Sequence, residues 1–192
     1  MGTREFVEFK NQRGYKMKTI AIAAVTAGGK TTVVDQLKNR LPKARSLHFD
    51  DYHFEGEVED FSAWLKNGAD YNVWNLRPLL ADILDLQRGG DCAYLLLDYP
   101  FAYCHDMIKN YIDYAIFIDT PLDLALARGI LRDMQTATGE EIRNWLETYL
   151  HDARAAYKQM QKDILPSSDY VADGDQACEE IVHSIFKQIA AL

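Results

Sequence analysis

The sequence predicts an α/β protein whose core is a parallel sheet of about five strands, flanked by helices and carrying a small lid. Short apolar runs alternate with helical patterns along the chain, and the first run leads into a glycine-rich turn that opens a helix. Strands that are separated by helices pair in parallel through right-handed crossovers. The runs are almost wholly apolar, which is typical of strands that are covered on both faces.

Five segments have the composition of buried strands: residues 19–25, 46–49, 93–97, 114–118 and 170–172. A helix is predicted from Lys30 to Arg40, because Pro42 cannot continue it. Thr120 is predicted to cap the next helix, with Pro121 in its first turn. An apolar stripe predicts one continuous helix over residues 140–161, and Asp175 is expected to open a last helix whose core face extends to Leu192.

Length and charge limit the classes of function. The chain has 192 residues, which fits one domain, and a formal net charge of -8, which argues against a general nucleic-acid or membrane-surface binder. The three cysteines show no CxxC spacing, so we expect a reducing, cytoplasmic location and no zinc site. We expect the domain to span residues 17–192, with residues 1–16 as an N-terminal extension or the product of an upstream start.

The strongest motif follows the first predicted strand. Residues 24–32 match the phosphate-binding pattern G-x-x-x-x-G-K-[ST], except that Ala24 occupies the first glycine position. Backbone N–H groups of such a turn surround phosphate oxygens at the positive end of the following helix. The lysine reaches the β- and γ-phosphates, and the hydroxyl after it binds Mg²⁺. The predicted nucleotide-binding residues are Ala27, Gly28, Gly29, Lys30, Thr31 and Thr32.

Carboxylates follow two other predicted strands. Asp50 and Asp51 end the second strand, and Asp98 ends an apolar run of Walker B type. Phosphoryl transfer to a hydroxyl needs one carboxylate to take the proton and others to hold Mg²⁺. We therefore predict Asp50 as the base, and Thr31, Asp50 and Asp98 as metal ligands. The alternative is that these acids only cap turns.

The ending Gly-Lys-Thr-Thr, the step Asp50-Asp51-Tyr52 and the segment Arg128…Arg132-Asp133 together resemble the uridine kinase / phosphoribulokinase family, to which nicotinamide riboside kinases are closely related. The resemblance runs from about residue 18 to the C-terminus. It implies a P-loop NTPase fold, ATP and Mg²⁺ as cofactors, and a lid over about residues 128–145 whose Arg128 and Arg132 clamp the phosphates. Two departures are Gly129, where such sequences usually have a second arginine, and Asp98-Tyr99-Pro100, where the acid is often Glu followed by Gly.

An insert over about residues 54–90 is predicted to bind the acceptor, because aromatic and amide side chains are concentrated there. Either Asp70 or Asn75 would take the place of the acid that binds ribose in the resembled family. The alternative is that Trp64 and Trp74 are core residues of a helical insert, which we expect for at least one of them. The predicted substrate-binding residues are Asp51, Tyr52, His53, Asp70, Tyr71, Trp74 and Asn75.

The sequence thus predicts ATP-dependent phosphoryl transfer to a hydroxyl of a small molecule. A nucleoside such as uridine, cytidine or nicotinamide riboside is the favoured acceptor, and pantothenate, a sugar or a sugar acid is the alternative. A nucleotide-binding regulator without catalysis is the competing class. Such a regulator would need neither the Asp50-Asp51 pair nor an aromatic acceptor segment.

Overall fold

The computed structural model describes residues 17–192, so the predicted extension over residues 1–16 lies outside the described residues. The sheet has five parallel strands in the order β2-β3-β1-β4-β5. The predicted fold class is confirmed. The strands are β1 (Lys18–Ala23), β2 (Ala44–His48), β3 (Tyr94–Asp98), β4 (Tyr114–Asp119) and β5 (Tyr170–Asp173).

Helices cover both faces of this sheet, and the three cysteines are free. Two apolar layers result, because neighbouring strand residues alternate: Ile20 and Ile22 pack on the side of α1 and α7, whereas Ala21 and Ala23 face α3 and the aromatic insert. No helix within residues 17–192 is long and apolar enough to cross a membrane. The α-helices are α1 (Lys30–Arg40), α2 (Phe61–Lys66), α3 (Arg77–Gly89), α4 (Leu122–Asp133), α5 (Gly139–Thr148), α6 (Arg154–Asp163) and α7 (Cys178–Ala190).

The prediction of one continuous helix over residues 140–161 is wrong in its middle. A π-helical segment, Tyr149–Ala153, joins α5 to α6. A π turn accommodates an extra residue without a glycine or proline to mark it, so the apolar period did not reveal it. Tyr149 is buried there, and the Ser62 hydroxyl of α2 donates to Asp152 Oδ1 at 2.7 Å.

Two helix ends also differ from the prediction. Thr120 does not cap α4: Pro121 is the N-cap residue, and the Thr120 hydroxyl donates instead to the Gly28 carbonyl at 2.9 Å. The last helix begins at Cys178 rather than at Asp175, and Leu192 is exposed rather than packed on the core. The Thr120 hydroxyl is taken by a contact with a distant loop, and Leu192 lacks a core contact. Neither of these tertiary features is encoded by the local sequence.

Candidate active site

The loop after β1 has the backbone of a phosphate cradle. Gly29 adopts a left-handed φ of 96° at the N-terminus of α1, and Ala27 has a φ of 57°. A Cβ on Gly28 would lie 2.8 Å from the Val25 carbonyl oxygen and 2.9 Å from the Ala24 Cβ, so only glycine fits this position. The loop therefore exposes its N–H groups at the positive end of an 11-residue helix, which suits a polyphosphate.

The cradle is supported from behind by the ends of β4 and β5. Thr120 is buried, and its hydroxyl bonds the Gly28 carbonyl. Gly174, whose N–H donates to the Asp119 carbonyl, packs directly on Thr120: a Cβ there would come 2.2 Å from Thr120 Oγ1. Sequence reasoning interpreted Thr120 as a helix cap. It missed that Thr120 and Gly174 hold the phosphate loop from behind. The sequence indicates this contact only through a polar residue, Thr120, that directly follows a buried strand.

Lys30 is the cation of the cradle. Its Nζ donates to the Ala24 carbonyl at 3.3 Å. Desolvation lowers the Lys30 pKa, and the nearby Asp98 and Asp50 oppose that shift, while Arg132 adds to it. An ammonium group that is desolvated without a direct carboxylate partner favours an incoming anion. The residues present thus fit the phosphates of ATP.

Thr31 and Asp98 meet as the metal hypothesis requires. The Thr31 hydroxyl donates to Asp98 Oδ2 at 2.6 Å, and His48 Nδ1 lies 3.2 Å from the same oxygen. His48 Nε2 lies 3.1 Å from the Ser46 hydroxyl. The described residues contain no cluster of three His, Cys, Asp or Glu that could hold a metal alone. Mg²⁺ commonly takes one or two protein ligands beside phosphate oxygens and water, so this pair suits it.

Asp50 lies on the wall of the cavity, in the 3₁₀ turn Phe49–Asp51 that follows β2. The charge of Asp50 raises the pKa of both Lys30 and Arg132, so Asp50 lies between the cradle and α4. Asp51 is exposed and does not line the cavity. Of the two adjacent carboxylates, Asp50 is therefore the one that lines the cavity.

Both predicted lid arginines line the same cavity from α4. Arg132 makes two bonds to its neighbour, with Nε and Nη2 at 2.7 and 2.9 Å from the Asp133 carboxylate, and Asp133 raises the Arg132 pKa. Because this pair is exposed, its rupture costs little. Gly129 is buried between them, where a Cβ would meet the Ala27 Cβ at 3.6 Å. Position 129 therefore packs on the cradle and does not face solvent.

A single cavity of about 640 Å³ joins the cradle to an aromatic pocket. Phe101 lies at the centre of this pocket, with ring centroids 4.8 Å from Trp74 and 5.3 Å from both Tyr71 and Phe49. The remaining wall comes from the loop before α2 and from α6. The residues of the aromatic half are Phe49, Glu57, Val58, Phe61, Trp64, Tyr71, Trp74, Phe101, Ala156, Tyr157 and Met160.

Tyr71 and Trp74 are thus placed as predicted, but most predicted acceptor residues are not. Exposed His53 and Asp51 lie outside the cavity lining. The other three are engaged elsewhere: Tyr52 Oη donates to Asp82, Asp70 Oδ1 accepts from the Asn72 N–H, and Asn75 Nδ2 donates to Glu55. Sequence reasoning missed Glu57, Phe101, Tyr157 and Met160, because they come from three segments that are distant in the chain.

Comparisons with known proteins agree with this geometry. No family model matches the chain. It is 26% identical over 176 residues to a uridine kinase of Borrelia turicatae, a match that covers 80% of this chain and 84% of that protein. Its fold is similar to that of a Silicibacter protein with the provisional name fructose transport system kinase (TM-score 0.61, 13% identity, 83% and 91% of the two chains). It is also similar to shikimate kinase from Bacteroides thetaiotaomicron (TM-score 0.53, 16% identity, 91% and 99%).

Proposed function

We propose that this chain, which is a P-loop small-molecule kinase related to the uridine kinases, phosphorylates a hydroxyl of a nucleoside at the expense of ATP. The observation that carries the proposal is the continuity of one cavity from the phosphate cradle, past Asp50, into an aromatic pocket. Aromatic walls suit a flat base, and the position of Asp50 at the junction suits a hydroxyl that lies between base and phosphate.

The reaction follows from this arrangement. The acceptor oxygen attacks the γ-phosphorus, the bond to the leaving ADP oxygen breaks, and Asp50 takes the hydroxyl proton. Lys30 and the cradle N–H groups stabilise the charge of the transferring group, and the arginines of α4 add to this once Arg132 leaves Asp133. Mg²⁺, held by Thr31 and Asp98, would neutralise the phosphate oxygens.

Two segments receive roles within this proposal. Residues 54–90 form the acceptor-binding insert, because Glu57, Trp64 and Trp74 come from it. Residues 128–145 form the lid: they begin inside α4 and run into α5. The remainder of residues 17–192 builds the sheet and the nucleotide cradle.

The test is acceptor-dependent ADP formation with Mg·ATP and a panel of uridine, cytidine, nicotinamide riboside, pantothenate, gluconate and shikimate. We expect turnover with a nucleoside. Turnover restricted to the non-nucleoside members would contradict the choice of acceptor, and ATP binding without any acceptor-dependent turnover would favour the regulator.

Asp50→Asn tests the proton acceptor. We expect kcat to fall by about 10²- to 10⁴-fold, with ATP binding retained, because the amide cannot accept the proton. The matched control is Asp51→Asn, the adjacent exposed carboxylate that does not line the cavity. Equal activity of the two variants would contradict the assignment of Asp50.

A further inference from the structure

The aromatic half of the cavity has few polar side chains, and one of them is a carboxylate. The described residues that line the cavity include no Asn, Gln, Ser or His. The Tyr71 hydroxyl is engaged, since it donates to Asp163 at 3.2 Å. Of the remaining polar side-chain groups in this half, Glu57 carries a charge, whereas the Tyr157 hydroxyl and the Trp74 indole N–H are neutral.

Positive charge lies at the other end of the cavity. Lys30 is on the cradle, and Arg128 and Arg132 project from α4, which packs on the cradle through Gly129 and Ala27. The charge of Arg132 lowers the pKa of Lys30, so Arg132 lies near the phosphate site. An acceptor that carried a carboxylate into the aromatic half would therefore meet the charge of Glu57 without a cation from the residues that line that half.

The backbone at Glu57 is held in place. Gly56 has a φ of 81°, and a Cβ there would lie 2.1 Å from the Val73 carbonyl oxygen. Next to it, the Asn75 N–H donates to the Glu55 carbonyl at 2.8 Å, and Asn75 Nδ2 donates to Glu55 Oε2 at 3.1 Å. The loop is thus pressed onto the segment that carries Trp74, which fixes the backbone from which Glu57 lines the cavity.

We propose that Glu57 is the specificity-determining residue of the acceptor pocket. It accepts hydrogen bonds from a neutral or cationic acceptor, and it excludes acceptors that carry a carboxylate. This inference rests on the proposed function and names the acceptor class more narrowly. Glu57 acts by like-charge repulsion as well as attraction, which is how closely related ligands are commonly separated.

The experiment compares matched neutral and anionic acceptors with the full chain and Mg·ATP: uridine against 5-carboxyuridine, and pantothenol against pantothenate. We expect kcat/KM to be about tenfold higher for the neutral member of each pair that is turned over. The factor is moderate because Glu57 is exposed and its charge is screened. A carboxylate member used as well as its neutral partner would overturn the inference.

Two substitutions assign the effect to this residue. Glu57→Gln should reduce the neutral-over-anionic preference to less than about threefold, mainly by lowering the KM for the anionic acceptor, because the like-charge repulsion is removed; the KM for ATP should not change. Glu57→Lys should reverse the preference. The matched control is Glu59→Gln, which alters an exposed acid of the same loop that does not line the cavity.

The outcomes separate the two proposals. A preference that persists in Glu57→Gln, or that Glu59→Gln removes equally, overturns the role of Glu57 and leaves the kinase assignment intact. If pantothenol is turned over in preference to uridine and the Glu57 variants still change the neutral-over-anionic preference, the nucleoside is the wrong acceptor, but the specificity role of Glu57 is supported. Absence of turnover for every pair contradicts both.

Discussion

At the scale of single residues, the site depends on groups that are held in energetically costly states. Lys30 is the clearest case, because desolvation lowers its pKa even though Asp98 and Asp50 lie near enough to oppose the shift. The protein surroundings therefore stabilise the charged ammonium less than water does. A phosphate beside Lys30 would stabilise that charge, so the desolvation of the lysine favours nucleotide binding.

Lys30→Met should lower kcat by about 10²- to 10³-fold, because the transferring group loses a positioned cation. The melting temperature without nucleotide should not fall, since a lowered lysine pKa means that the folded state disfavours the proton. Steady-state kinetics and thermal unfolding check both. Lys38→Met, at an exposed lysine of the same helix, is the control, and equal activity of the two variants would contradict the role of Lys30.

At the scale of elements, the loops after β1, β4 and β5 support one another. Thr120, at the end of β4, holds the cradle carbonyl, and Gly174, at the end of β5, leaves room for Thr120. Parallel strands bring their carboxyl ends to one edge, so contacts between these loops are a direct consequence of the topology. The position of the cradle is thus set from two strands away.

Two glycines make a matched test of this support. Gly174→Ala should lower the free energy of unfolding by about 2 kcal/mol and raise the KM for ATP, because the new Cβ overlaps the Thr120 backbone and side chain. Gly129→Ala should be tolerated and should stabilise α4 by up to about 1 kcal/mol, since its Cβ would make ordinary contacts at 3.6 and 3.9 Å. Urea unfolding measures both, and a neutral Gly174→Ala would refute the support.

A side-chain hydrogen bond joins α2 of the insert to the π segment, from the Ser62 hydroxyl to Asp152. Ser62→Ala should lower the free energy of unfolding by about 1 kcal/mol and raise the acceptor KM severalfold, because α2 carries part of the aromatic wall. The KM for ATP should not change. Ser184→Ala, which removes a hydroxyl bond within α7, is the control for a purely local loss. An unchanged acceptor KM would show that the bond does not position the pocket.

At the scale of the whole molecule, acidification should destabilise the fold in two stages. His105 is buried, and its neutral ring is fully used: Nε2 donates to the Trp74 carbonyl at 2.9 Å, and Nδ1 accepts from the Met107 N–H at 3.2 Å. Burial lowers the His105 pKa. Below pH 6.5 the unfolded chain therefore binds a proton that the folded chain refuses, and stability falls as the pH falls.

Urea unfolding at pH 7.5, 6.5 and 5.5 checks this, with a slope of at most about 1.4 kcal/mol per pH unit for one proton. His105→Gln, whose amide can still donate to the Trp74 carbonyl, should flatten the profile, whereas the exposed His53→Gln should not. Salt partners and caps lower the pKa of Asp133 and Glu141, so the second loss follows in the carboxylate range. A profile that His105→Gln leaves unchanged would contradict the first stage.

The sequence by itself determined the fold class and the positions of the cradle, Lys30, Thr31, Asp50 and Asp98 at or just after the ends of strands. Each of these is encoded locally, by an apolar run followed within a few residues by glycines or an acid, and parallel topology then brings the strand ends together.

Only the tertiary structure decided the acceptor pocket. Asp70 and Asn75 have suitable chemistry but bond to Asn72 and Glu55, whereas Glu57, Phe101 and Met160 line the cavity from different parts of the chain. The physical reason is that a concave pocket is lined by side chains from separate segments. Which of several equally suitable residues faces it depends on packing and backbone geometry, such as the close approach of Gly56 to Val73, and not on residue type.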